Sequence, residues 1–330
     1  MEHCLLTCSV YRATMSYLDW RVYGFFFSFI AVMFRAFYVS TTNTKILTAN
    51  SVVMVLTNVV LNYILIFGKF GFPVLGIAGA AIASSISEAV SVMFFVIYTW
   101  KKVDYKKYGL FRFTRVDFRM LGQILSVSIW VMIQHGIAFG GWFIFFIAME
   151  HLGERPLAIT NVVRSISSFL FMFVNAFAST NSSLVSNLIG AGESDRVLPL
   201  SRRMIGLCYA FVLPIGILIA MFPSTVLRIY TDNPDLIASS IPSLWVMLSS
   251  YLFAVPGFIY FFSVSGTGNT RRALEIDMAS IFVYVLYILY VAVWLRADVA
   301  VCWTTEYVYN IMILSSFFYL WKGNWRNKKI

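Results

Sequence analysis

Apolar residues run along this chain in long continuous stretches, and no stretch alternates polar and apolar positions with a period of two. A helix needs about 20 mostly apolar residues to cross a hydrocarbon core of about 30 Å. Nine stretches meet that length, over Leu18–Val39, Ile46–Phe67, Leu75–Trp100, Met120–Met149, Leu157–Thr180, Met204–Phe222, Ile237–Ser263, Ala279–Leu295 and Val299–Trp321. Continuous apolarity without alternation predicts helices rather than the strands of a barrel. Turn and charge clusters separate the stretches: Ser40–Lys45, Gly68–Pro73, Gly190–Asp195 and Gly266–Arg272. No polar segment is long enough to form a separate soluble domain. The expected fold is an all-α polytopic membrane protein.

Composition narrows the class. The 330 residues are 60% hydrophobic and 12% charged, where a soluble domain carries about a quarter charged residues. The net charge of +10 would suit nucleic acid, but the basic residues sit in short loops between apolar runs and read as topology signals. Four cysteines do not make a disulfide framework. Cys208 and Cys302 lie in apolar runs as packing residues. His3, Cys4 and Cys8 lack a fourth ligand, so no metal site is expected. Three histidines, with no motif containing two, speak against an integral-membrane enzyme.

The basic residues also set an orientation. Lys45, the loop from Lys101 to Arg119, Arg196, Arg202, Arg203, Arg271, Arg272 and the tail from Lys322 hold seventeen. The opposite connections hold six: Arg12, Arg21, Lys69, Arg155, Arg228 and Arg296. The richer side is cytoplasmic, so the C-terminus is inside and nine spans put the N-terminus outside. The boundaries that follow are an extracytoplasmic tail over 1–16, three helices over 17–100, a cytoplasmic loop over 101–119, six helices over 120–321 and a basic tail over 322–330. An exported N-terminus without a signal peptide is anomalous. The turn Ser40–Lys45 resembles Ser265–Arg271, and each precedes a span leading to another that holds a single Glu, Glu88 or Glu306. Spans one to three thus match spans seven to nine as a parallel repeat of six helices. Three further helices before the first span would repair both the anomaly and the repeat.

Residues Thr57–Gly68 with Gly71–Ser84, the segment Leu184–Gly192 and the turn Gly266–Arg271 resemble the MATE family, the multidrug and toxic compound extrusion antiporters. The resemblance covers most of the chain from Tyr17 onward. It implies a twelve-helix protein of two six-helix lobes, with this chain starting at helix four. It also implies a protein of a bacterial cytoplasmic membrane, monomeric if complete, that exports organic cations against H⁺ or Na⁺, with no other cofactor and with lipid as its surroundings. A lipid-linked oligosaccharide flippase of similar plan and an inactive truncated product are the alternatives. This chain alone is expected to confer no resistance to a cationic dye.

Ionisable and amide groups inside the spans are the site candidates, because they are costly there. Asn58 and Asn62 are four apart and share a helical face. The resemblance places them where the first lobe of the family lines its cation site, with Ser84 at a matching Thr position. The other reading is a hydrogen-bonded tie between helices. Glu88 lies one turn beyond Ser84, and Glu306 is its partner in the repeat. Each is either a titrating group or an anchor. Arg164 should face a bundle interior and find a carboxylate or carbonyl, with Asn161 on the same face. Helices seven and ten carry acids in some branches of the family, and the corresponding places hold Ala138 and Ala254, with Gln134 and His135 one turn before Ala138. Asp277 and Glu275, near the start of the eighth span, read as surface residues.

Overall fold

The computed structural model of the protein describes residues 2–41, 43–103, 117–323 and 325, and for residues 2–10 it describes the backbone alone. The described residues are helical, without strands. They divide into two compact units, residues 1–115 and 116–330. The basic loop residues 104–116, the tail residues 326–330 and the side chains of His3, Cys4 and Cys8 lie outside the description.

Unit 1 contains α1 (Glu2–Ser40), α2 (Lys45–Phe67) and α3 (Gly76–Lys102). The segment expected to be a tail is part of α1 instead. Residues 2–17 contain neither Gly nor Pro, so nothing in them stops the helix from extending backward. Arg21 is correspondingly inside a helix, not in a connection. α2 ends where Gly68 adopts φ 64° and donates its N–H to the Ile64 carbonyl, a left-handed cap that glycine enters without a Cβ clash. α3 packs along both α1 and α2.

Unit 2 begins with α4 (Phe118–Leu152), whose first turn is capped by Asp117 accepting from the N–H groups of Arg119 and Met120 at 2.9 and 3.2 Å. α5 (Glu154–Gly190), α6 (Val197–Met221) and the short α7 (Pro223–Leu227) follow. α8 (Pro234–Gly266) starts from Asn233, which accepts from Asp235 and Leu236, with Pro234 in the first turn. Pro has no N–H to lose there. α9 (Thr270–Ile288) passes into a π-helical turn over Leu289–Trp294. The core of unit 2 is built from Val163, Leu170, Val174, Leu244, Val255, Ile259, Ile288 and Trp303, all buried.

The ninth stretch departs from the expected single span. It is helical but divided into α10 (Val299–Trp303), α11 (Thr305–Ile313) and α12 (Ser316–Lys322). The Thr304 and Thr305 hydroxyls donate to the carbonyls of Val301 and Cys302, each at 2.6 Å. Ser315 and Phe317 close tight turns onto Met312 and Leu314. Hydroxyls that bond back three residues, and i→i+3 backbone bonds, tighten a helix and interrupt its ladder. Among the described residues, eight helices remain long and apolar enough to cross a membrane.

Large apolar side chains stand outward along these helices, Phe29 and Met33 each 72% exposed. Lipid suits such surfaces, whereas a soluble monomer keeps its apolar patches small.

Candidate functional site

In unit 1 the polar candidates gather between α2 and α3. The Asn62 amide donates to the Asn58 carbonyl oxygen at 2.8 Å. The Asn58 amide donates in turn to the hydroxyls of Ser84 at 3.3 Å and Ser87 at 3.1 Å. One turn on from Ser87, and nearer the cytoplasmic ends assigned from the sequence, the buried Asn50 donates to Ser91 at 2.8 Å. The spacing explains the row: Asn50, Asn58 and Asn62 recur on one face of α2, and Ser84, Ser87 and Ser91 recur at three and four residues on α3. Asn62 Oδ1 and Asn50 Oδ1 are buried and accept nothing.

Glu88 is beside this row, and it has a partner on α1. Arg21 Nη2 donates to Glu88 Oε1 at 2.7 Å, with the two side chains 21% and 15% exposed. Arg21 also stands 5.5 Å over the Phe25 ring, and Ser85 donates to the Trp20 carbonyl at 3.1 Å. A carboxylate in a low-dielectric bundle is costly unless a cation compensates it, and Arg21 supplies that cation. The structure therefore ties Glu88 into the α1–α3 contact.

In unit 2 the candidates separate. Asn161 lies exposed on the surface of the unit and is not one of its interior residues. Arg164 is half-buried, as expected of a charge in a span, but its partner is neither carboxylate nor carbonyl. Its guanidinium sits 5.1 Å over the Phe146 ring, and its Nε has no acceptor. A delocalised cation can rest on an aromatic face at less desolvation cost than in apolar packing. Gln134 is buried on α4 and faces Asp277 on α9.

Asp277 corrects the surface reading made from the sequence. It is 2% exposed and accepts from the Tyr309 hydroxyl at 3.0 Å. Its place seven residues into α9 gives it nearly two turns of depth, which the nearby charges Arg271, Arg272 and Glu275 disguise. Glu306 is half-buried on α11 and faces the Tyr284 hydroxyl. Tyr284 and Tyr309 pack edge to face with centroids 5.9 Å apart. Sequence reading missed Arg21, Ser87, Asp277, Tyr284 and Tyr309. For Ser87 the signal existed, since it lies three residues after Ser84.

The arrangement resembles known proteins at two levels. Residues 131–293 match the MatE family model. The chain belongs to the MATE family. Members of this family are transporters, not enzymes. The "Probable multidrug resistance protein NorM" of Thermotoga maritima is 28% identical over 239 residues, 72% of this chain and 50% of that protein. The protein of the same description from Bacillus cereus is 30% identical over 205 residues, covering 58% of this chain and 42% of its own length. The fold is that of a solved MATE structure described as in complex with MaL6, at a TM-score of 0.82 and 16% identity, over 93% of this chain and 69% of the other. The MATE chain spans about half the length of the curated relatives it matches.

Proposed function

We propose that this MATE chain acts in a secondary transporter that exports organic cations from a bacterial cytoplasm by alternating access, driven by inward movement of H⁺ or Na⁺. The observation that carries this reading is the row Asn62–Asn58–Ser84–Ser87 inside a membrane-embedded helix bundle. Polar side chains at that depth are costly to retain, and these present carbonyl and hydroxyl oxygens of the kind that hold a cation. The relatives described as multidrug resistance proteins support the substrate class. A flippase for anionic headgroups would want free basic groups inside the bundles. Among the described residues only Arg21 and Arg164 are not exposed, and they lie against Glu88 and Phe146.

The test is ethidium efflux from cells stripped of their own pumps. Cells carrying the genomic locus that encodes this chain should expel the dye in a protonophore- or Na⁺-sensitive manner. Asn58→Ala in that locus should slow efflux by about tenfold, the scale of losing one supporting group at an ion site. Cells given residues 1–330 alone should not expel it. Efflux unaltered by Asn58→Ala would remove the row from the mechanism.

A further inference from the structure

The connection between α6 and α8 carries two charges that the helix bundle does not use. α6 ends at Met221 and α8 begins at Pro234, and both are long and apolar enough to cross a membrane. The residues between them therefore lie at the level of the lipid headgroups. α7 is pinned there by Leu227, which is fully buried. The turn that follows is closed by its own hydrogen bonds. The Thr231 N–H donates to the Leu227 carbonyl at 3.2 Å, and the Asn233 N–H donates to the Thr231 hydroxyl at 3.3 Å.

A cavity of about 470 Å³ lies between α7, this turn and the start of α8, within the range of roughly 300–1,000 Å³ typical of small-molecule sites. Ser224, Arg228 and Asp232 form its polar wall, and Ile237, Ala238 and Ile241 form its apolar one. Arg228 and Asp232 are opposite in charge and four residues apart. The four ion pairs among the described residues nevertheless join other groups. One cavity thus presents a cation and an anion that do not neutralise each other. Apolar side chains stand outward beside it, Phe222 54% and Ile229 78% exposed. We propose that this cavity binds the headgroup of an amine-bearing phospholipid, with the phosphodiester at Arg228 and Ser224 and the primary ammonium at Asp232.

The charges select among headgroups. A guanidinium and a hydroxyl both donate to phosphate oxygens, and an ammonium donates to a carboxylate. A trimethylammonium group has no N–H to donate, so a choline headgroup forfeits the hydrogen bond to Asp232. An uncharged glycerol headgroup brings its phosphate beside Asp232 with no cation to balance that carboxylate. The apolar wall selects a lipid over the same headgroup free in water. Only the lipid brings hydrocarbon to cover Ile237 and Ile241 and the exposed rings and branches beside them.

The experiment is native mass spectrometry of the full chain in detergent, with phosphatidylethanolamine, phosphatidylcholine and phosphatidylglycerol added in equal amounts. The unaltered chain should retain phosphatidylethanolamine about tenfold over each of the others, the scale of one charge-assisted hydrogen bond. Arg228→Gln should abolish that preference. Asp232→Asn should remove the discrimination against phosphatidylglycerol, because Arg228 then faces a phosphate without an opposing carboxylate. Both side chains are exposed, so neither change disturbs the core. Equal retention of the three lipids by the unaltered chain would overturn the proposal. So would a preference that persists in both variants, or displacement of the bound lipid by soluble phosphoethanolamine. The assay involves no dye and no transport, so this site and the exporter reading stand or fall separately.

Discussion

The pair between Arg21 and Glu88 shows how one residue changes the meaning of another. A lone Glu in a membrane helix is a functional suspect, whereas a Glu held by an arginine 2.7 Å away on the neighbouring helix is first of all a clamp. Arg21→Leu should leave Glu88 uncompensated and lower stability by about 3 kcal/mol. The double change Arg21→Leu with Glu88→Leu should recover most of that loss, because two apolar residues desolvate at no cost. Thermal unfolding of the four proteins in a double-mutant cycle measures this. Losses in the two single variants that add up to the loss in the double variant would show that the pair contributes nothing. At this scale the sequence was partly legible. The residues Asn58, Asn62 and Ser84 could be chosen from spacing and resemblance, and they do meet. Arg21 could not be matched to Glu88, because the partners lie 67 residues apart and sequence spacing carries no information about contacts across helices. Asp277 was hidden for a different reason: burial depends on which way a helix faces, and the surrounding charges argued for water.

At the scale of elements, α5 and α8 are locked by a polar knot and a close approach. The buried Asn181 on α5 donates to Ser263 at 2.6 Å and to the Ile259 carbonyl at 3.3 Å, both on α8, and to Ser201 on α6 at 3.3 Å. One turn along, Gly266 lies so close to α5 that an added Cβ would come within 2.5 Å of the Ser182 carbonyl oxygen. Ser186 donates to the Gly266 carbonyl at 2.8 Å. Small residues allow helices to approach to this degree in membranes, where packing rather than hydrophobic exclusion holds them together. Gly266→Ala must push the helices apart or bend one of them, and overpacking of this kind costs about 1–3 kcal/mol. The expected result is a lower melting temperature in detergent and faster proteolysis, with Ser265→Ala next to it much milder. The boundaries of these elements were less legible than their existence. Apolar runs mark the part of a helix that crosses lipid, but α5 continues past Thr180 to Gly190, since helical hydrogen bonding does not end where the lipid does. The division of the last stretch was not legible, because hydroxyls that bond to their own helix look the same in sequence as hydroxyls that face a neighbour.

At the scale of the whole chain, there are two compact units, residues 1–115 and 116–330, and the fold over 93% of the chain is that of a MATE structure. α3 lies against α1 and α2, and α11 lies against α8 and α9. Orientation rests on the distribution of Lys and Arg and is open to direct measurement. A fluorescent protein that matures only in the cytoplasm, fused after Ile330, should be bright, and an alkaline phosphatase fused there should be inactive. The reverse pattern would invert the topology, and with it the direction assigned to transport. Arg21, paired inside the bundle, no longer counts toward that distribution, which leaves the bias toward the cytoplasm stronger than the raw count.

Trp303 is fully buried against Phe145, with ring centroids 5.5 Å apart. The chain has nine tryptophans; Trp20, Trp100, Trp142, Trp245, Trp294 and Trp321 are exposed on the helices, and Trp130 is half-buried. In bilayers made from brominated lipid, heavy atoms in the acyl chains extinguish the emission of indoles they can touch. The light that persists belongs chiefly to Trp303 and Trp325, the two that the fold encloses. Trp303 is three residues from Glu306 in the chain, so the protein carries an internal optical probe whose colour reports on the interior of unit 2, without any label being attached.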